Sequence, residues 1–229
     1  YTGGDAGCIK PILEVSQIDG KDDALQFYYK SSQPQKMDLN ENTLPFSSSN
    51  GAYTIIGARF QKLPIRANAD VLAASVIVTP DSAAGTQATA DVYFDKAGDS
   101  SAFSSTNNDL GKRTATTKTS CTFISQGPGI PVECSDSDLA SALSSVLTSS
   151  NGWQDGNALS VLLQQKSASS SLSLRAHEYS PADAIRLRIQ LSNGSLTDNS
   201  YKVRDHLKGL VSSMVAESGT PIIPQLDQA

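Results

Sequence analysis

Along most of its length the chain alternates apolar and polar residues in short runs bounded by Gly, Pro, Asn and Ser, the period-two pattern of half-buried β-strands. The clearest runs predict strands over Ala52–Phe60, Val71–Val78, Ala88–Phe94, Arg113–Ile124, Ala158–Gln165, Ser171–Tyr179 and Ile185–Leu191. In the last of these Ile185, Leu187, Ile189 and Leu191 alternate with Arg186, Arg188 and Gln190, which turns one face to a core and the other to water. Pro80-Asp81-Ser82, Asn107-Asn108-Asp109 and Asn50-Gly51 supply turn chemistry between runs. So many short strands predict an all-β fold, an antiparallel β-sandwich of jelly-roll-like layout.

Two stretches leave this period. Asp136 to Ser149 sets Leu139, Leu143, Val146 and Leu147 on one helical face, with Asp138 three residues after Ser135 as in a capping box. A short helix capping one end of the sandwich is expected there. Tyr201 to Glu217 aligns Val203, Leu207, Leu210, Val211 and Met214, followed by Gly219 as a stop and Pro221 as a block. This amphipathic helix is expected outside the sandwich. The predicted organisation is an N-terminal extended arm over residues 1–20, a sandwich domain over 21–191, and a C-terminal helix with a Pro-containing tail over 192–229.

Composition narrows the partners. Hydrophobic residues make up 38% of the 229 and charged residues only 18%, leaving the hydroxyl-rich balance common in proteins outside cells. The net charge of -5 and the scattered Lys and Arg leave no electrostatic footprint for nucleic acid. No apolar run approaches the roughly 20 residues of a membrane span. The chain opens on Tyr1 without a basic-then-apolar leader, which fits either a removed signal peptide or a piece of a longer protein.

Cys121 and Cys134 flank Gly127-Pro128-Gly129 and Pro131, a turn that can bring them to bonding distance in an oxidising compartment. A disulfide is expected in preference to two buried thiols. Cys8 is then left over, to pair between chains or to pack as a small hydrophobe.

Catalytic signatures are sought and not found. No Gly-x-Ser-x-Gly elbow exposes a serine, and His177 and His206 stand too far apart for a His-Glu-x-x-His zinc site. No Gly-rich loop joins a strand to a helix to cradle phosphate. Asp22-Asp23, Asp91, Asp136 and Asp138 could form a carboxylate pair or hold Ca²⁺, but acids beside turns and at helix starts are more often caps. Neither a metal site nor a resident cofactor is expected. Trp153 can be a sugar-stacking platform or a buried anchor, and the anchor is the commoner use of a Trp leading into a core strand. Asn193-Gly194-Ser195 is a sequon in a predicted surface loop, open to N-glycosylation if the host performs it.

A set of short motifs resembles a family of extracellular β-sandwich modules found in large, mostly bacterial, secreted and surface proteins. The elements are Asp22-Asp23-Ala24, Met37-Asp38-Leu39, Ile56-Gly57-Ala58-Arg59-Phe60 with Leu63-Pro64-Ile65, and Ala102-Phe103-Ser104 with Arg113-Thr114. They continue with Ser137-Asp138-Leu139 and with Gly152-Trp153 before Gly156-Asn157-Ala158-Leu159. The resemblance implies a sandwich in an extracellular or cell-surface setting and no agreed activity. Where that family carries a Trp-rich strand, this chain has Ser120-Cys121-Thr122-Phe123 and the Cys134 return.

What the chain adds to such a module are its ends. Ile9, Ile12, Leu13 and Val15 at one, and Leu207, Leu210, Met214, Ile222 and Ile223 at the other, are candidate assembly surfaces. The expectation is a non-catalytic structural subunit forming a homo-oligomer, filament or surface layer by strand addition to a neighbour. The competing arrangement has both arms folded back on their own domain. The alternative function is a carbohydrate-binding module with a glycan partner.

Overall fold

The computed structural model describes residues 10–29, 36–46, 52–166 and 171–197. The chain divides into two compact units, Tyr1–Leu196 and Thr197–Ala229. Apart from Thr197 the second lies outside the described residues, and with it the helix expected over Tyr201–Glu217.

In chain order the strands are β1 (Ile12–Ser16), β2 (Asp23–Tyr29), β3 (Met37–Asp38), β4 (Thr43–Pro45), β5 (Ala52–Phe60), β6 (Val71–Val78), β7 (Gln87–Phe94), β8 (Thr119–Ile124), β9 (Val132–Ser135), β10 (Leu159–Gln165), β11 (Ser173–Arg175) and β12 (Arg186–Leu191). A four-residue helix α1 (Asp109–Lys112) precedes β8, and α2 (Ser137–Val146) follows β9. One sheet has the order β1-β12-β6-β9, a second β3-β2-β5-β10-β7-β8, and β11 pairs with β4. All these pairings are antiparallel.

The inner faces of the two large sheets share one core. Leu187, Ile189 and Leu191 of β12 and Val76 and Val78 of β6 come from the first sheet, and Ile56, Phe60, Val161, Leu163, Phe94 and Phe123 from the second. β12 alternates as its sequence demands, with Leu187, Ile189 and Leu191 buried. β10 reads Leu-Ser-Val-Leu-Leu-Gln-Gln and is almost wholly buried, because it is central in its sheet and that sheet is covered on both faces.

The outer cover is the stretch between β7 and β8. It lays Phe103 and Leu110 on Ala24, Ile55, Tyr93 and Leu162 as a second apolar cluster. Gly57 makes this possible: a Cβ there would stand 2.8 Å from Phe103 Cζ and 2.9 Å from Leu110 Cδ2. Gly57→Val is therefore expected to destabilise the domain by about 1–3 kcal/mol through overpacking, with Gly57→Ala at the lower end, as read from urea denaturation midpoints.

The other motif residues also meet in space. Trp153 is buried and donates its Nε1–H to Ile65 O at 2.9 Å, while Leu63 N binds Asn157 O and Gly156 N binds Leu63 O. Leu63-Pro64-Ile65 and the Gly152–Leu159 stretch thus form one zipped corner. Gly156 takes a left-handed φ of 86°. Asn157 does not share that conformation, and instead spends its amide on Gly98 O.

Three local expectations shift. The strand expected from Arg113 begins at Thr119, because Arg113 closes α1 and turns its guanidinium into the outer cover. The strand expected over Ser171–Tyr179 shortens to Ser173–Arg175, after which turns at Ala176 and Ser180 bend the chain away. α2 is capped by Asp136, whose carboxylate accepts from Asp138 N at 2.8 Å, one residue later than the Ser135 box predicts.

Candidate functional site: an open edge, a clasped edge and a buried acid pair

Each large sheet ends in two edge strands, and the two sides of the sandwich treat them differently. On one side β8 and β9 belong to different sheets and are joined by the Cys121–Cys134 disulfide, with the Cα atoms 5.9 Å apart. The bond lies against the core beside Phe123 and Val132 and ties sheet to sheet. The expected disulfide is present.

On the other side the first sheet ends at β1. The sequence places residues 1–20 in an arm outside the sandwich, yet Ile12–Ser16 pairs with Arg186–Gln190 of β12, and Leu13 and Val15 pack on the core. This part of the arm is an edge strand of its own domain. The reason is the alternation Ile-Leu-Glu-Val-Ser, which gives a half-buried strand two inward apolar positions.

Leu191 N donates to Pro11 O, so position 11 faces position 191 as a hydrogen-bonded pair. By antiparallel alternation Leu13 and Val15 bond inward to β12, leaving the N–H and C=O of Ile12, Glu14 and Ser16 facing an edge that is open among the described residues. Ile12 is 60% exposed there. Glu14 is held by Arg186 at 2.8 Å and by Arg188 at 3.0 Å, and Arg188 reaches on to Glu133 of β9 at 2.7 Å. A charge ladder therefore crosses the outer face of this sheet from one edge to the other.

A third feature lies where β1 turns into β2. Asp19 and Asp22 cap each other across a short 3₁₀ turn, and Asp22 accepts from Arg59 Nη1 at 3.1 Å and Gln61 Nε2 at 2.7 Å. Arg59 also donates to Ser100 O at 2.9 Å, so the Gly-x-Arg-Phe strand anchors both this corner and the outer cover. Next in the chain, Asp23 is 1% exposed. Its Oδ2 accepts from His177 N at 2.8 Å, whereas Oδ1 is buried without a donor, as is Glu178 Oε2. Burial raises the Asp23 carboxyl to about 8, helped by the charges of Glu178 and Asp22 and opposed by the His177 N–H.

The remaining candidates disperse. Asp91 pairs with Lys166 at 3.1 Å, and Asp136 and Asp138 sit at the start of α2. Among the described residues no group of three or more His, Cys, Asp or Glu side chains is arranged to hold a metal ion. No helix among them is long and apolar enough to cross a membrane. Asn193 is exposed at the tip of a turn whose Ser195 N bonds back to Ser192 O, while Ser195 itself is buried. Ile9, Leu207, Leu210, Met214, Ile222 and Ile223 lie outside the described residues, as do Cys8 and His206. The open β1 edge was legible only as an apolar run. The Asp23–Glu178 pair carries no linear signal.

These elements define an antiparallel β-sandwich protein with a Cys121–Cys134 disulfide. No family model matches the chain, and no curated protein does. Among solved structures it is similar to one described as the crystal structure of the Agl-KA catalytic domain, at 13% identity and a TM-score of 0.28. That likeness covers 91% of this chain and 36% of the other, so the chain spans little more than a third of that structure's length.

Proposed function

We propose that this chain is a non-catalytic extracellular subunit that assembles with further copies of itself by strand addition at the β1 edge. The observation carrying the reading is the asymmetry of the edges. β8 and β9 are clasped together by the disulfide and β3 is only two residues long, which are ordinary ways of blunting an edge. β1 presents five residues of strand with outward backbone groups and an exposed Ile12.

Two β1 strands pairing about Glu14 would set like charges face to face, so a head-to-tail contact is favoured over a symmetric one. The donor in this reading is a terminal segment of the next copy, where Ile222 and Ile223 between Pro221 and Pro224 form a short apolar run. The disulfide fits an oxidising, extracellular setting. The alternative role in carbohydrate binding loses its best stacking platform, because Trp153 is 1% exposed and bonded to Ile65 O.

Sedimentation of the full chain tests the proposal. The wild type is expected to associate with rising concentration. Ser16→Pro, which removes an outward N–H and no bond to β12, and Ile12→Lys should each weaken association at least about tenfold without lowering the melting temperature. A wild-type chain that stays monomeric up to millimolar concentration would overturn it.

A further inference from the structure

We propose that Asp23 and Glu178 share a single proton and so form a pH-sensitive latch between the β1–β2 corner and the segment that follows β11. The geometry carries the argument. Asp23 opens β2, and Glu178 lies in the turn just beyond Arg175. Glu178 fits against the bare backbone of Gly20, where a Cβ would collide with its Oε1. Its carboxyl is within hydrogen-bonding reach of Asp23. The pair is thus seated between the corner on one side and the His177 backbone on the other.

Asp23 Oδ1 and Glu178 Oε2 are both buried, and among the described residues neither receives an N–H or O–H from any other group. Two ionised carboxylates offer only acceptors, so this contact closes only when one of them carries a proton. Among the described residues no neighbour supplies a compensating cation. The charges acting on Asp23 are those of Glu178 and Asp22, both negative. Arg59 of β5 is committed to Asp22, whose oxygens are further occupied by Gln61 Nε2 and Asp19 N. His177 meets Asp23 through its backbone N–H rather than its ring.

The direction of the pH response follows. The folded Asp23 carboxyl is raised from 3.8 to about 8, so between those values the folded chain holds a proton that the unfolded chain releases. The stabilisation is complete below the unfolded value and is lost as pH rises towards the folded one. Above it, two adjacent carboxylates in a buried corner repel, and the 17–23 and 176–180 segments separate while the sheets remain paired. The device closes in acid and opens in base, the reverse of an ordinary salt-bridged carboxylate.

The test uses the full chain, with urea denaturation from pH 4 to 9, carboxyl-carbon NMR titration, and hydrogen exchange at residues 17–23 and 176–180. The wild-type unfolding constant is expected to rise by up to about tenfold per pH unit inside that window, the limit for one linked proton. One carboxyl resonance should titrate near neutral or mildly alkaline pH. In Asp23→Asn the amide donates to Glu178 in place of the shared proton, so the slope should flatten, the resonance vanish and the two segments stay protected at pH 9. Glu178→Gln should flatten the slope likewise, and keeps the test open if the first variant does not fold. An Asp23 carboxyl titrating in the ordinary range in the wild type, or variants that retain the wild-type slope, would overturn the proposal.

Discussion

Arg113→Ala is expected to destabilise the sandwich by about 3–5 kcal/mol, the range for breaking a buried ion pair from one side. The guanidinium donates from Nη1 to Asp95 Oδ2 at 3.0 Å, Ser100 Oγ at 2.9 Å and Ser101 O at 3.1 Å. From Nη2 it reaches Ala102 O and Asp109 Oδ2, both at 3.2 Å, and its plane lies 4.6 Å from the centroid of Phe103. The side chains of Arg113 and Asp95 are only 7% and 8% exposed. Truncation leaves Asp95 with Ser100 Oγ and Ala97 N but without its arginine, and releases the carbonyls that hold the outer cover in shape.

Lysine is not a substitute, since a single ammonium cannot serve acceptors in two directions over an aromatic ring, and Arg113→Lys should recover less than half of the loss. The pairing of Arg113→Met with Asp95→Asn is the control. If the cost lies in the stranded carboxylate, the double variant will be more stable than Arg113→Ala alone. Urea denaturation at two salt concentrations reads all three, and the loss should change little with salt because the pair is shielded from solvent.

Replacing Cys121 and Cys134 by alanine should cost about 3 kcal/mol, from the chain freedom returned to the unfolded state by a loop of 13 residues' separation. For a protein of this size that corresponds to a fall of about 6–12 °C in melting temperature. The consequence exceeds the number, because this bond joins β8 of one sheet to β9 of the other. Both edges lose their covalent clasp, and the double variant is expected to aggregate on heating where the wild type refolds. Calorimetry with and without reductant checks the assignment: reductant should lower the wild-type midpoint by the same amount and leave the double variant unmoved. Equal midpoints in all four samples would mean that the clasp contributes nothing.

How much of this was legible beforehand depended on burial. β12 has one face in the core and β5 is buried on both, and alternation in the first and apolar density in the second announce them. β3, β4 and β11 are two or three residues long, too short for any period to register. The stretch Arg113–Lys118 has strand-like residues, but Arg113 is worth more in the ion-pair network than in a ladder, so tertiary contacts override local preference there. The turn beside Cys121 and Cys134 pointed to their pairing, though not to its joining two sheets.

The amino-acid sequence by itself determined the all-β class, the helix after Ser135, the buried role of Trp153 and the cysteine pair, because each follows from a pattern within one short stretch of chain. Only the tertiary structure decided which edge is open and where Asp23 meets Glu178. Both depend on residues more than 150 positions apart along the chain, Glu14 with Arg186 and Asp23 with His177, being brought together by the sheets. Hydrogen-bond direction at an edge and the charge state of a buried acid are properties of neighbours in space, and no local pattern encodes them.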